Sequence, residues 1–201
     1  MKNPYPTNFS NASLLIPESR IIAGLLLQEP TTEEWKRQVY DDNILQLRTL
    51  NGAKTAGNLI RRRLNTMDKA LWKFVHTGSK ELATQSVLAA TVKFSPLLGD
   101  YIRDVYQRER KQFAEQLRPS SWNQFIEECH NRIPDLPVRS ESTQAKLKQN
   151  AFRIMAEAGM IDNTRNMTIR HLSLAPQLKR YLENSDEHYV LSCLLPERDR
   201  V

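Results

Sequence analysis

An all-α fold is predicted by three observations. Apolar residues recur at a period near 3.6 in almost every segment. Prolines, glycines and capping residues fall where helices would start and stop. Only Thr168–Leu172 alternates, reading as a short strand or an extended connector.

Pro17 suits the first turn of a helix through about Leu27, with Glu18 at its positive end and Pro30 closing it. Thr32, Glu33 and Glu34 open a short helix carrying Trp35 and Val39. Asn43–Leu50 is ambiguous, because Ile44, Leu45, Leu47 and Leu50 fit one helical face. Asn51 or Gly52 is the expected cap of a helix from Ala53 to about Asn65. Asp68 starts the next, which Gly78 ends, and Ser79 caps the run containing Leu82, Val87, Leu88 and Val92. Pro96 restarts the chain for a long helix to about Leu117. Ser121 begins a helix with Trp122, Phe125, Ile126 and Cys129 that stops before Pro134. Ser142 or Thr143 caps a helix ending at Ala158, with Gly159 as a left-handed stop. Helices at Pro176–Leu182 and Asp186–Leu194 close the chain. Pro134 and Pro137 mark the expected joint between an N-terminal helical lobe, 1–133, and a C-terminal one, 134–201.

Composition excludes several classes. With 40% hydrophobic and 26% charged residues in 201, the chain can bury a sizeable core. Its apolar runs are far shorter than the roughly 20 residues of a membrane span, and the N-terminus lacks a signal-peptide core. Cys129 and Cys193 belong to no CxxC pair and fit buried thiols in a reduced cytoplasm. No catalytic constellation can be assembled. His76, His130, His171 and His188 are widely separated, no nucleophile elbow or phosphate loop occurs, and the acidic pairs are sequence neighbours suited to capping. A non-enzyme without cofactor or metal is expected. Trp35, Trp72 and Trp122 lie on apolar stripes, where core anchoring outranks base stacking.

The formal charge of +6 is unevenly spread. Residues 51–118 hold 13 basic against 6 acidic side chains, and 139–180 hold 8 against 3, while the rest is neutral or acidic. Such clustering suits a polyanion-binding surface, although charge runs also serve as solvated helix faces.

Two helices lie inside these basic stretches. Unrolled at about 100° per residue, Ala53–Asn65 gathers Ala53, Ala56, Ile60 and Leu64 on a core-facing arc, which Met67 extends. Lys54, Asn58, Arg61 and Asn65 share the opposite side, with Thr55 and Arg62 flanking it. That division is what a major-groove recognition helix requires: an anchored face and a row of donors. Arg63 points into the apolar arc and is expected to be a partly buried structural arginine paired with a carboxylate. In Ser142–Ala158, Leu147, Ala151, Ile154, Met155 and Ala158 form the buried stripe, and Ser142, Lys146, Gln149 and Arg153 form the exposed row. Gly159 then turns the chain into the polar loop Asp162–Asn166, flanked by Arg165 and Arg170, as in the recognition helix and wing of a winged helix.

The order of segments resembles the BrxA family, core proteins of bacteriophage-exclusion (BREX) phage-defence systems. The similarity runs through Glu18–Ala23, Asn43–Arg48 leading into Ala53–Leu64, Trp122–Phe125, Thr143–Ile161 and the Leu174/Pro176/Leu178/Tyr181-Leu182 tail. It spans the chain essentially end to end, and order and spacing carry it, since none of these motifs is catalytic. The resemblance implies an all-helical monomer with two helix-turn-helix-like units that binds double-stranded DNA. It also implies other BREX proteins, such as the methyltransferase, as partners, and no membrane. The reading elements would fall on Ala53–Asn65 and Ser142–Ala158. Asp41–Asn51 is longer than an ordinary 3–4-residue turn and leaves room for an extra helical turn.

The expected function is therefore duplex-DNA binding through Lys54, Asn58, Arg61, Arg62, Lys146, Gln149, Arg153, Arg165 and Arg170. Lys54, Arg61, Arg62, Lys146 and Arg153 would hold phosphates, and Asn58 and Gln149 would reach base edges. The alternatives are an adaptor whose basic faces dock acidic patches on other BREX proteins, and binding of structured RNA.

Overall fold

The computed structural model describes residues 4–196. These are helical, with two isolated antiparallel bridges and no sheet among the described residues. They fall into two compact units.

The first unit spans Leu14–Phe94 and takes in Ala175–Tyr181. Helix α1 (Ile16–Leu27) packs on α4 (Lys69–Thr77) and α3 (Leu50–Leu64), and α5 (Lys80–Phe94) lies against α3 and α4. Helix α2 (Thr32–Lys36) opens with a capping box: Thr31 accepts from the Glu34 N–H while the Glu34 carboxylate accepts from the Thr31 N–H. It widens into a π-helical turn over Arg37–Asp41, where the Asp42 N–H reaches the Arg37 carbonyl at 2.8 Å. Helix α10 (Pro176–Asn184) begins in this unit. There the Ala175 N–H donates to Gln85 Oε1 at 2.7 Å, and Tyr181 donates to Asp68 Oδ1 at 3.0 Å.

Two local expectations change here. Asn43–Thr49 forms no helix and no extra helical turn; Asn43 and Gln46 have φ of 48° and 52°. The Asn43 side chain donates to the Leu47 carbonyl and accepts the Leu47 N–H, so the loop satisfies itself as an Asx-type turn. Leu45 is buried while Leu50 is 57% exposed, so they do not share a face. The cap of α3 is Thr49 rather than Asn51 or Gly52: its Oγ1 accepts the Gly52 N–H at 3.0 Å, and the helix starts three residues earlier than expected.

The second unit comprises Ser95–Leu174 together with described residues before Leu14 and after Tyr181. Helix α6 (Pro96–Tyr101) passes through a π-helical turn, Ile102–Tyr106, into α7 (Gln107–Lys111). It ends well short of Leu117, because Phe113 adopts φ 57° and the backbone then runs extended. Helix α8 (Ser121–Arg132), the loop through Pro134 and Pro137, and α9 (Glu141–Glu157) follow within this unit, as does α11 (His188–Leu194). Tyr101 sits between Trp122, Phe125 and Phe152 with centroids 4.9, 5.4 and 6.1 Å away, and its hydroxyl is 2.7 Å from Ser121 Oγ. This aromatic cluster fastens α6, α8 and α9 together. Cys129 and Cys193 are both buried and free, as their apolar patterns predict; burial pushes the Cys193 thiol up to about 12.

Candidate nucleic-acid interface

In the first unit, Ala53, Ile60, Leu64 and Met67 are buried and Ala56 partly so, as the unrolled helix predicts. Arg63 is only 1% exposed, so it belongs to the core and not to a binding row. Gly57 lies against the π-helical turn: a Cβ there would stand 2.5 Å from Val39 Cγ1.

This close approach leaves the polar side of α3 bordered by aromatic rings. The Lys54 ammonium lies 5.3 Å from the Tyr40 ring centroid, and the Arg61 guanidinium 4.5 Å from that of Trp35. Arg62 lies 5.0 Å from the Phe94 ring. Asn58 accepts a hydrogen bond from the Tyr40 hydroxyl at 2.9 Å. Cation–π contacts hold the charged heads in place without neutralising them, so their N–H donors stay available. Arg61 also lines an open cleft of about 340 Å³ with Asn65, Lys69 and Trp72. The Trp72 indole donates to the Leu64 carbonyl at 2.8 Å, which fixes the wall of that cleft. Lys54, Asn58, Arg61 and Arg62 are thus gathered on one unit. Trp35, Tyr40 and Phe94, which steady them, were not expected at the site. They come from elements distant in sequence, and no spacing on α3 points to them.

In the second unit, Ser140 caps α9 by accepting the Thr143 N–H at 3.3 Å, two residues before the expected cap. Leu147, Ala151, Ile154, Met155 and Ala158 are buried, and Lys146, Gln149 and Arg153 are exposed. Arg153 is partly occupied, since its Nε donates to Glu157 Oε1 at 3.0 Å. Gly159, at φ 76°, reverses the chain. The Arg170 N–H then reaches the Met160 carbonyl at 2.9 Å, and the Asp162 N–H the Thr168 carbonyl at 3.0 Å. Residues 115–117 join on the other side, through the Ile169 N–H to the Glu115 carbonyl and the Leu117 N–H to the Met167 carbonyl. The alternation at 168–172 therefore marks a minimal three-segment bridge, too short to be a sheet.

The loop between these segments is internally braced. Asp162 Oδ1 accepts from the Asn163 and Thr168 N–H groups at 2.7 and 2.8 Å, and Asn163 Oδ1 from those of Arg165 and Asn166 at 2.8 Å each. Desolvation raises the Asp162 pKa, but these hydrogen bonds outweigh it and leave the carboxyl below its ordinary value. Arg165 projects from a rigid turn, exposed. Arg170 is exposed as well, its carbonyl accepting the Tyr106 hydroxyl at 2.6 Å. Among the described residues no three His, Cys, Asp or Glu side chains converge to hold a metal, and no helix is long and apolar enough to cross a membrane.

The BrxA family profile matches residues 3–186. A protein named BREX protein BrxA from Paramagnetospirillum magneticum is 37% identical over 190 residues, covering 94% of this chain and 96% of its own. Its namesake from Escherichia coli O9:H4 is 35% identical over 185 residues, covering 92% and 87%. Among solved structures, an uncharacterized protein from Magnetospirillum magneticum superposes with a TM-score of 0.88 at 37% identity, over 94% of this chain and 97% of that one. Sequence and backbone agree along nearly the whole length, and the chain belongs to the BrxA family of BREX phage-defence proteins.

Proposed function

We propose that this protein is a non-enzymatic, cytoplasmic duplex-DNA-binding component of its BREX system, acting through the polar faces of α3 and α9. One observation carries the reading: each helix is anchored by a buried apolar stripe while presenting a row of cationic and amide side chains outward. Two helix-turn-helix-like units fit the surroundings. Helix α2, its π-helical turn and the Asn43–Thr49 loop lead into α3; helix α8 and its loop lead into α9, and the braced Asp162–Thr168 turn follows in the place of a wing. Lys54, Arg61, Arg62, Lys146 and Arg153 supply the phosphate contacts, Arg165 and Arg170 flank the duplex from the turn, and Asn58 and Gln149 reach base edges. Binding of the monomeric protein to a labelled duplex, measured by mobility shift across a salt series with RNA competitor, tests this. About four to six phosphate contacts give a log–log salt slope of roughly −4 to −5. A flat response, or preferential displacement by structured RNA, refutes it.

A second reading, an adaptor for other BREX proteins such as the methyltransferase, draws support from Phe113. This side chain is 85% exposed, held at φ 57°, and follows the basic end of α7. An aromatic ring displayed on a constrained turn beside Arg108 and Lys111 suits an apolar, acid-rimmed protein pocket. Phe113→Ser separates the two readings: the adaptor loses assembly and keeps DNA, whereas the DNA reader loses neither.

A further inference from the structure

Arg61 belongs to two surfaces at once. It stands in the polar row of α3 with Lys54 and Arg62, and it lines the cleft of about 340 Å³ beside the C-terminal end of that helix. Its guanidinium is half-buried and rests 4.5 Å from the Trp35 ring centroid, yet it makes no hydrogen bond or ion pair among the described residues. Five N–H donors are thereby held in place without an acceptor, in the fork that suits a phosphate. Lys69, the other cation of the cleft, is already paired with the Glu29 carboxylate, and both are exposed.

The rest of the cleft suits a nucleobase. Leu26, Pro30 and Trp72 give it apolar walls. The Trp72 indole donates its one N–H to the Leu64 carbonyl at 2.8 Å, so what it offers the cleft is ring surface. Asn65 adds an exposed carboxamide with no hydrogen-bond partner among the described residues, one acceptor and two donors for a base edge. Apolar and aromatic walls with a few hydrogen-bonding groups are how proteins receive an unstacked base. Charge decides how that base arrives. With Lys69 and Glu29 cancelling, Arg61 leaves the cleft one positive charge, which matches a phosphodiester; the phosphomonoester of a free nucleotide brings nearly two negative charges. Helix α3 has no acidic residue, and Lys54 and Arg62 continue its positive row, so the neighbouring phosphates of a strand also find cations. We infer that the cleft receives one unpaired base of a DNA strand whose phosphate sits on Arg61, so that the protein favours duplexes carrying an overhang over blunt ones. The inference rests on the duplex-DNA reading above and adds a base-binding site to it.

The test uses the full chain and three duplexes of one sequence: blunt, with a short single-stranded overhang, and with the same overhang made abasic. The wild type is expected to bind the overhang about tenfold more tightly than the blunt duplex, within the roughly fivefold to 150-fold that stacking one base on an aromatic ring supplies. The abasic overhang keeps the phosphates and should lose that gain. A 2-aminopurine placed in the overhang should be quenched on binding, as a stacked base is. Trp72→Leu keeps an apolar wall without the ring, and the ratio of overhang to blunt affinity falls to about twofold or less; Trp72→Phe restores most of it. The abasic comparison is made on the wild type alone, so it decides the matter even where a Trp72 variant folds poorly. Equal affinity for blunt and overhanging duplexes overturns the inference, as does a preference that survives the abasic overhang. Displacement of the overhang by an equal concentration of free deoxyadenosine monophosphate overturns the strand as the source of the base. A wild type that binds no duplex of any form overturns the DNA reading itself, which distinguishes that failure from failure at the cleft.

Discussion

Val39 Cγ1 occupies the space that a Cβ on Gly57 would need, 2.5 Å from its ideal position. Glycine in a helix interior costs about 1 kcal/mol relative to alanine, so on propensity alone Gly57→Ala would stabilise α3. Overpacking a close contact costs about 1–3 kcal/mol and outweighs that gain. Gly57→Ala should therefore lower the stability read from urea denaturation, and much of the loss should disappear when measured on a Val39→Ala background. The same substitution enhancing stability in the wild-type background would show that the two segments are not locked.

Charge reversal at Arg61 and Arg62 separates electrostatics from fold. Their aromatic contacts are worth about 0.5–1 kcal/mol each at exposed sites, so Arg61→Glu with Arg62→Glu should leave a cooperative helical melt. On the DNA reading, duplex affinity drops by tenfold or more and the log–log salt slope shrinks by about 2, one phosphate contact per residue. Retained DNA binding with lost assembly of other BREX proteins would favour the adaptor.

Asp162 gives the turn after Gly159 a dependence on acid. Its folded pKa lies below the ordinary carboxylate value, so the unfolded chain takes up its proton first as pH falls. The stability it contributes is complete above the unfolded pKa of about 3.9 and is lost as pH drops through the lower folded value. Amide resonances of Asn163 and Thr168 should shift in a single acid step below about pH 4, and Asp162→Asn should abolish that step.

Asp100 is a hub in the second unit. It accepts from the Tyr5 hydroxyl at 2.6 Å and the Tyr189 hydroxyl at 3.0 Å, and Arg103 Nη1 stands 3.0 Å away. Asp100→Ala leaves the two phenols without this acceptor and should cost about 3 kcal/mol, seen as a clear fall in melting temperature. Arg103 keeps its paired contacts to Asp104 at 2.7 and 3.0 Å, so Arg103→Ala is not equivalent.

Much of this was legible in the residues. The buried arcs of α3 and α9, the placement of Arg63 in the core, Asp68 and Ser79 as caps and Gly159 as a left-handed stop follow from side-chain periodicity and local backbone chemistry, which are properties of neighbours in sequence. What sequence reading missed depends on through-space partners or on subtle backbone choices. Thr49 and Ser140 cap their helices because the chain enters two or three residues earlier than the apolar pattern suggests. Asn43 turns a run with helical spacing into a loop by closing hydrogen bonds on Leu47. Tyr40 reaches Asn58 across 18 positions, a pairing invisible until α2 and α3 are packed.

The two thiols give this chain a built-in chemical stopwatch. Cys129 and Cys193 are its only cysteines, both sit in the second unit, and both are sealed from solvent with their ionisation suppressed. An alkylating reagent must wait for that unit to breathe, so modification rates would time its opening while remaining blind to the half that carries α3.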